Sequence, residues 1–445
     1  MKNILILVLL GWSATNGRTA TAHPAPGTNV VPITPAFVNQ LVEELRTNHP
    51  ALSAAASRVR AASSTTNAVR LWDDPVLSFG GVTASQRGPT LSGEGDLVYG
   101  LEQKLPLFGK PRAARRVAEA EAESESARLG YQFQLLRRDL MKALFKAALA
   151  DRAVEIAAQD LAWLDTMAAT TEEQYRAGTA TQVQLLRVQN ERAKRADLLR
   201  TEGNRRDHER LTVNRFLNRK LDASLPRLGL PSAASPVPYS QHLVDRAAAF
   251  EPKLGVMRRE IQRAEASVAA TRKARLPDVS AGIEGRQYSG DGGFREGMFT
   301  LSLSLPWFNR GKYRSDVARE QARLTAAELD ATDYQLSVNE EVHQLTVGLD
   351  AARREAILYH DEILPRSQQA LASAHANWAA NRGMFNDVME ARRMLLEAQL
   401  MHARAISEQH QLLADLALLC GVSDLTALQS IAAPDASAPT TTLKP

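Results

Sequence analysis

The chain has 445 residues, with 54 Lys and Arg against 50 Asp and Glu, and is 44% hydrophobic and 5% aromatic; that length ordinarily means two or three globular domains. The first 22 residues carry Lys2 and Arg18 and no acid, so without them 52 basic residues face 50 acidic ones along alternating helical patterns, which argues against nucleic acid as a partner. The one cysteine, Cys420, excludes a disulfide, a CxxC redox pair and a thiolate zinc site, and reads as a small buried hydrophobe.

At the amino terminus Lys2 precedes an apolar run, Ile4 to Leu10, then Gly11 to Ala14, and the small-residue sequence Ala20-Thr21-Ala22 stands before His23. This order is that of a secretory signal peptide, residues 1–22, cleaved after Ala22; the other reading is a short buried helix. No cysteine near that site is available for lipid attachment. No other stretch approaches the ~18 consecutive apolar residues of a membrane-spanning helix.

The remainder repeats itself at a period near 200 residues. Asn48-His49-Pro50-Ala51-Leu52 is answered by Phe250-Glu251-Pro252-Lys253-Leu254, and Asp74-Pro75-Val76-Leu77-Ser78 by Leu276-Pro277-Asp278-Val279-Ser280. LPLFGK at 105–110 matches LPWFNRGK at 305–312 with two residues inserted, and YRAGTATQVQLL at 175–186 answers NRGMFNDVMEA at 381–391. Four matches in one order mean two copies of one supersecondary unit. We place the first at 23–218 and the second at 241–420, joined by a linker or equatorial segment at 219–240 and followed by a flexible tail at 421–445.

Each copy reads as helix, β-hairpin, long helix, tight turn, long helix. The first helical region, about Pro35 to Leu71 in one copy and Val244 to Arg275 in the other, is Ala-rich and ends near a proline. Hairpins follow at about 76–108 and 278–308. Phe299, Leu301, Leu303 and Leu305 alternate with Thr300, Ser302 and Ser304; Leu97, Tyr99, Leu101 and Leu105 alternate with Gly100, Glu102 and Lys104, with Gln103 a polar intruder on the apolar face. The partner strands, Val76 to Gln86 and Val279 to Ser289, turn around Gly88-Pro89 and Ser289 to Gly293. From Arg112 to about Glu173 a Pro-free stretch carries Leu129, Phe133, Leu136, Leu140 and Leu144 at coiled-coil-like spacing, which predicts a helix of roughly 90 Å. Gly178 interrupts it, and Val183, Leu186, Ala193 and Ala196 lead an antiparallel helix back. The second copy repeats the pair at about Tyr313 to Asn381 and Met384 to Leu419, with a kink expected at Pro365.

The fold class is therefore mainly α with a small β part. Four strands with one apolar and one polar face cannot close a barrel, and an open edge is forbidden in a bilayer; about twelve strands from three chains make a barrel with a polar lumen. The soluble alternative packs each hairpin on helices.

The two-copy plan, the LPLFGK and LPWFNRGK junctions and the Gly-centred helical turns resemble the TolC family of outer-membrane efflux ducts, and within it most resemble the outer-membrane components of cobalt, zinc and cadmium exporters. The resemblance implies a homotrimer with a 12-stranded barrel in outer-membrane lipid. Below it an α-helical barrel crosses the periplasm and docks on a membrane-fusion adaptor coupled to an inner-membrane, proton-driven RND pump. It also implies that Arg176, Gly178 and Thr179, with Arg382, Gly383 and Met384, sit on helical tips that meet the adaptor. A turn alone accounts for the glycines, since reversing the chain between helices commonly demands positive φ. Asp387 and Glu390 resemble acidic residues at the family's periplasmic constriction, where three copies bring six carboxylates to one axis; a solvated helix face is the other reading. Gln182 stands at the matching place in the first copy.

The nine histidines are scattered without HExxH, and no G-x-x-x-x-G-K-[ST] occurs, so neither catalysis, a metal site nor any cofactor is expected. Trp307, Phe308, Leu107 and Phe108 fall at strand ends, where an interfacial belt would lie, although core packing explains them too. The competing functions are a general drug or type I secretion channel and, in a different class, a periplasmic coiled-coil scaffold without a pore.

Overall fold

The computed structural model describes residues 30–83, 95–288, 293–380, 382–422, 425 and 427–432. The signal peptide, the hairpin turns at Gly88-Pro89 and at 289–292, and the tail from 433 lie outside the described residues.

In chain order the elements are β1 (Val30–Pro32), α1 (Pro35–Asn48), α2 (Pro50–Ala68), β2 (Val76–Thr83), β3 (Gly95–Leu105), α3 (Lys110–Arg176), α4 (Gln182–Phe216), β4 (Arg227–Gly229), α5 (Gln241–Phe250), α6 (Pro252–Ala274), β5 (Val279–Tyr288), β6 (Phe294–Leu303), α7 (Arg310–Leu358), α8 (Leu364–Ala379), α9 (Phe385–Leu419) and α10 (Ala427–Ala432). The expected opening helix of each copy is two helices. The repeated proline motif is the reason: Pro50 and Pro252 take the first helical position, where a missing N–H costs nothing. The residue before each caps the new helix, His49 Nδ1 accepting from Ala51 N at 3.2 Å and Glu251 Oε2 from Leu254 N at 2.5 Å.

The 67-residue α3 spans about 100 Å at 1.5 Å per residue. Leu140 and Leu144 of its expected apolar stripe are fully buried, and Leu129, Phe133 and Leu136 are packed at the margin of the same cluster. The stripe expected on α4 largely faces the other way: Val183, Leu186 and Ala193 are exposed and Ala196 is half-buried, whereas Val188 and Val213 are buried. In the second copy α7 passes into α8 through a π-helical turn, Tyr359–Ile363, immediately before Pro365. The wider turn accommodates a ring that would otherwise clash with the carbonyl four residues back. At the strand-to-helix junctions Gly109 has φ +66° and corresponds to Asn309 at φ −108°, so the two inserted residues fall inside the first turn of α7.

The two hairpins join into one antiparallel sheet, β2-β3-β5-β6, through a β3–β5 ladder from Asp96↔Tyr288 to Leu105↔Val279. Side chains of directly paired residues share a face. One face carries the rows Leu77, Leu101, Ile283, Phe299 and Gln103, Ala281, Leu301; the other carries Val76, Glu102 and Thr300, then Ser78, Glu284 and Met298, then Val98, Arg286 and Glu296. Gln103 does fall on the apolar face, where its amide donates to the Asp73 carbonyl at 2.7 Å. At the base of the sheet Lys110 and Lys104 reach Asp278 at 3.0 and 3.7 Å, tying the two hairpins together.

The segment at 219–240 packs along the helices as a collar. β4 pairs in parallel with β1, Leu228 N donates to Asp151 Oδ2 at 2.9 Å, and the Gln409 amide bonds both the N–H and the carbonyl of Ala234 at 2.9 and 3.1 Å. His410, stacked on Phe145 at 5.0 Å, places Nε2 3.0 Å from the Ser232 carbonyl. The expected tail is in part structured: α10 buries Leu428 completely, with Leu425 and Ile431 beside it in a cluster containing Cys420. The spacing of 425, 428 and 431 is one helical face. Cys420 is buried and free, its thiol pushed up to about 11 by burial.

His410 Nδ1 is buried without a partner, and burial holds the imidazole below its ordinary 6.5, with the Ser232 bond opposing. As pH falls below 6.5 the unfolded chain takes up a proton that the folded one resists, so stability is lost until His410 itself protonates. The thermal midpoint is expected to fall between pH 7 and pH 5, and to fall less in His410→Gln, which keeps a donor for Ser232; equal slopes by circular dichroism would remove this role.

Candidate functional site

The sheet stands at one end of α3 and two helical turns stand at the other. At the first turn Gly178 has φ +76° and open space around it, so left-handed backbone is its reason for being glycine. Thr179 N and Oγ1 both bond the Gln174 carbonyl, at 2.9 and 3.0 Å, closing the end of α3. Thr181 and Gln184 then form a reciprocal capping box at the start of α4. Arg176 is exposed and pairs with Glu172 at 2.5 Å.

The second turn is built differently. Gly383 does not have positive φ, contrary to the expectation; a Cβ there would stand 3.0 Å from Asn377 Cβ and 3.3 Å from the Trp378 nitrogen, so the close approach of the end of α8 is what favours glycine. Arg382 N and Gly383 N both donate to the Asn377 carbonyl, at 2.8 and 3.1 Å. Met384, 71% exposed, precedes α9, and its N–H donates to Asp387 Oδ2 at 3.3 Å. Asp387 is thus the third residue of α9 and reaches back to its cap, a position where a carboxylate also complements the helix dipole. Its counterpart in the first copy is Gln184, two residues beyond the Gln182 expected from sequence.

Asp387 and Glu390 are both exposed and line one groove of about 560 Å³ with Asp160, Trp163, Arg187, Glu191, Arg195, Arg392 and Arg393. Four acidic and four basic residues share this groove. At its floor lies Asp160 of α3, whose side chain is 3% exposed. Arg195 of α4 approaches it at 3.1 Å and Arg392 of α9 at 2.9 Å. Arg392 lies over the Trp163 ring at 5.0 Å. Beside them Met167, Val188, Phe385 and Val388 form a buried cluster shared by both copies. Sequence reasoning passed over Asp160, Arg195 and Arg392, because ordinary charged positions on Ala-rich helices carry no signal of a partner up to 232 residues away.

Among the described residues no three His, Cys, Asp or Glu side chains converge as a metal site, and no helix is long and apolar enough to cross a membrane. Among the described residues nothing covers the apolar sheet face: Phe79 is 73%, Ile283 63% and Phe299 70% exposed. Trp307 and Phe308, expected at an interface, are exposed where the sheet meets α7.

The sequence profile of the family described as outer membrane efflux protein matches residues 41–211 and 243–422. The cobalt-zinc-cadmium resistance protein CzcC of Cupriavidus metallidurans is 22% identical over 182 residues, 41% of this chain; the match spans 42% of CzcC. Among solved structures the outer-membrane channel OprN superposes with a TM-score of 0.75 at 21% identity, over 87% of this chain and 90% of that one. VceC of Vibrio cholerae gives 0.72 at 18% identity, over 87% and 96%. CusC gives 0.74 at 16% identity, over 86% and 92%.

Removing the Asp160 carboxylate leaves two arginines facing a buried gap, a change that typically costs about 3–5 kcal/mol. Asp160→Ala is therefore expected to lower the thermal midpoint well beyond the effect of Asp165→Ala, whose partner Arg192 is exposed; similar losses in both variants, read by circular dichroism, would deny Asp160 its central place.

Proposed function

The chain belongs to the outer membrane efflux protein family, and from that premise we propose that it is the passive, trimeric outer-membrane duct of a tripartite exporter of heavy-metal cations. The protein is an outer-membrane protein whose helices extend into the periplasm.

The observation that carries the reading is the amphipathic sheet with two open edges. Its apolar face suits lipid and its polar face water, and strands β3, β5 and β6 of 11, 10 and 10 residues match the 9–11 that cross a bilayer when tilted. Because β2, β3, β5 and β6 alternate in direction, β6 of one subunit meets β2 of the next in antiparallel register, and three sheets close a 12-stranded barrel without an edge. Around the helical portion, the exposed apolar residues of α4, Val183 and Leu186, suit burial against a neighbouring subunit.

The tips at Arg176–Thr179 and Arg382–Met384 project furthest from the sheet and suit docking on a membrane-fusion adaptor, which joins the duct to an energised RND pump in the inner membrane. Asp387 and Glu390, exposed beside the second tip, would gather as six carboxylates around a threefold axis, favouring cations at the constriction. The metal cargo rests on the likeness to CzcC.

Detergent-extracted protein is expected to run as a heat-modifiable trimer, and deletion of the gene to raise sensitivity to cobalt, zinc and cadmium; retained metal tolerance with lost drug tolerance would reassign the cargo. In planar bilayers Asp387→Asn with Glu390→Gln, which keeps the capping geometry, is expected to weaken cation preference. Unchanged selectivity and conductance would take both residues out of the constriction.

A further inference from the structure

Midway along the second helical pair, two histidines 42 residues apart in sequence face one another. His360 lies on the π-helical turn and His402 on α9; their ring centres are 5.5 Å apart with the planes inclined by 37°. Metal–imidazole bonds are about 2.0–2.1 Å long, so two imidazoles bound to one ion at a tetrahedral angle have ring centres about 5 Å apart. The observed separation is close to that value.

A second observation concerns the outer nitrogen. His360 Nδ1 lies 2.7 Å from Asp361 Oδ1, a carboxylate contact that fixes the tautomer, orients the ring and leaves Nε2 with its lone pair for a cation. His402 is half-buried, and burial, followed by the neighbouring His360 and Arg152, holds it below the ordinary histidine range. The positive charge of Arg152 is met by Glu155 at 2.8 Å.

Both rings line a cleft of about 530 Å³ bounded by the collar at Leu230–Ala233 and by Ala356 and Ile406. The cleft gives an ion access and room for the waters that complete its shell. The duplicated architecture does not require these residues: at the 205-residue offset that relates Gly178 to Gly383 the first copy has Glu155 in place of His360, and at the 203-residue offset that relates Gln184 to Asp387 it has Leu199 in place of His402, on helices without a π-turn.

We propose that His360 and His402 form a site for one divalent transition-metal ion per protomer, with two imidazole ligands, water in the remaining positions and Asp361 orienting His360. Imidazole favours zinc, nickel and copper over magnesium or calcium. Two protein ligands make the site weak and exchangeable, unlike a structural zinc. The inference stands on imidazole geometry and is independent of what the duct exports.

The test is calorimetric titration of the tag-free, full-length protein in detergent with zinc and nickel at pH 7.5. One ion per protomer is expected. His360→Asn and His402→Asn should each weaken binding at least tenfold, and Asp361→Asn by about ten- to a hundredfold. His375→Asn, whose ring packs on Trp378, should bind as the parent does. Retention of the parent's oligomer band on unheated gels separates ligand loss from misfolding. His360, its side chain 68% exposed, is the variant to read should His402→Asn fail to assemble. No binding by the parent protein, or parental affinity in the His360 variant, would overturn the proposal.

Discussion

An apolar sheet face with nothing on it governs this molecule. In most proteins the greasy side of a sheet is covered by helices; here the helices leave from one end of the strands and run away from them, so among the described residues nothing folds back over Phe79, Ile283, Phe299 or Leu301. Burial of apolar surface contributes roughly 25 cal/mol per Å², and an unpaired edge amide in hydrocarbon costs several kcal/mol. Both penalties vanish together when the face meets lipid and the edges meet sister strands. The extended shape follows from the same constraint, because a sheet committed to the membrane cannot also organise a globular core.

The helical portion solves a different problem, that of giving definite sides to long, Ala-rich, charge-laced rods. Small residues allow helices to approach closely but specify poorly which face does so. Buried polar contacts add the specificity. Asp160 collects an arginine from each of two other helices and so sets the rotation of α3, α4 and α9 about one another at the tip end. Higher up, Gln409 and His410 fasten the collar to α9, and Asp151 fastens it to α3. Buried charges of this kind contribute little net stability; their effect is to make alternative registers of the rods costly.

The two copies have diverged in how they solve equivalent local problems. The first reverses its helices with a left-handed glycine and a full Thr–Gln capping box; the second uses a glycine chosen for proximity and half a box made by Asp387. One long helix runs unbroken, whereas the other absorbs Pro365 in a π-turn. These differences place a carboxylate pair and a histidine pair in the second copy alone, so each protomer carries one of each instead of two.

The sequence by itself determined whatever depends on neighbours within one element. The duplication, the two-residue alternation that sorts Leu101 from Glu102, the stripe ending at Leu140 and Leu144, the burial of Cys420 and the turn at Gly178 were all legible, because strand and helix periods act on adjacent positions. Tertiary structure alone decided the β3–β5 ladder, the exposed side of α4, the packing reason for Gly383, the capping position of Asp387, the seat of Leu428 and the meeting of Asp160 with Arg392. Each depends on which flank one rod turns toward another. A helix with small residues on several sides and charges between them leaves that rotation undetermined until all the rods pack at once.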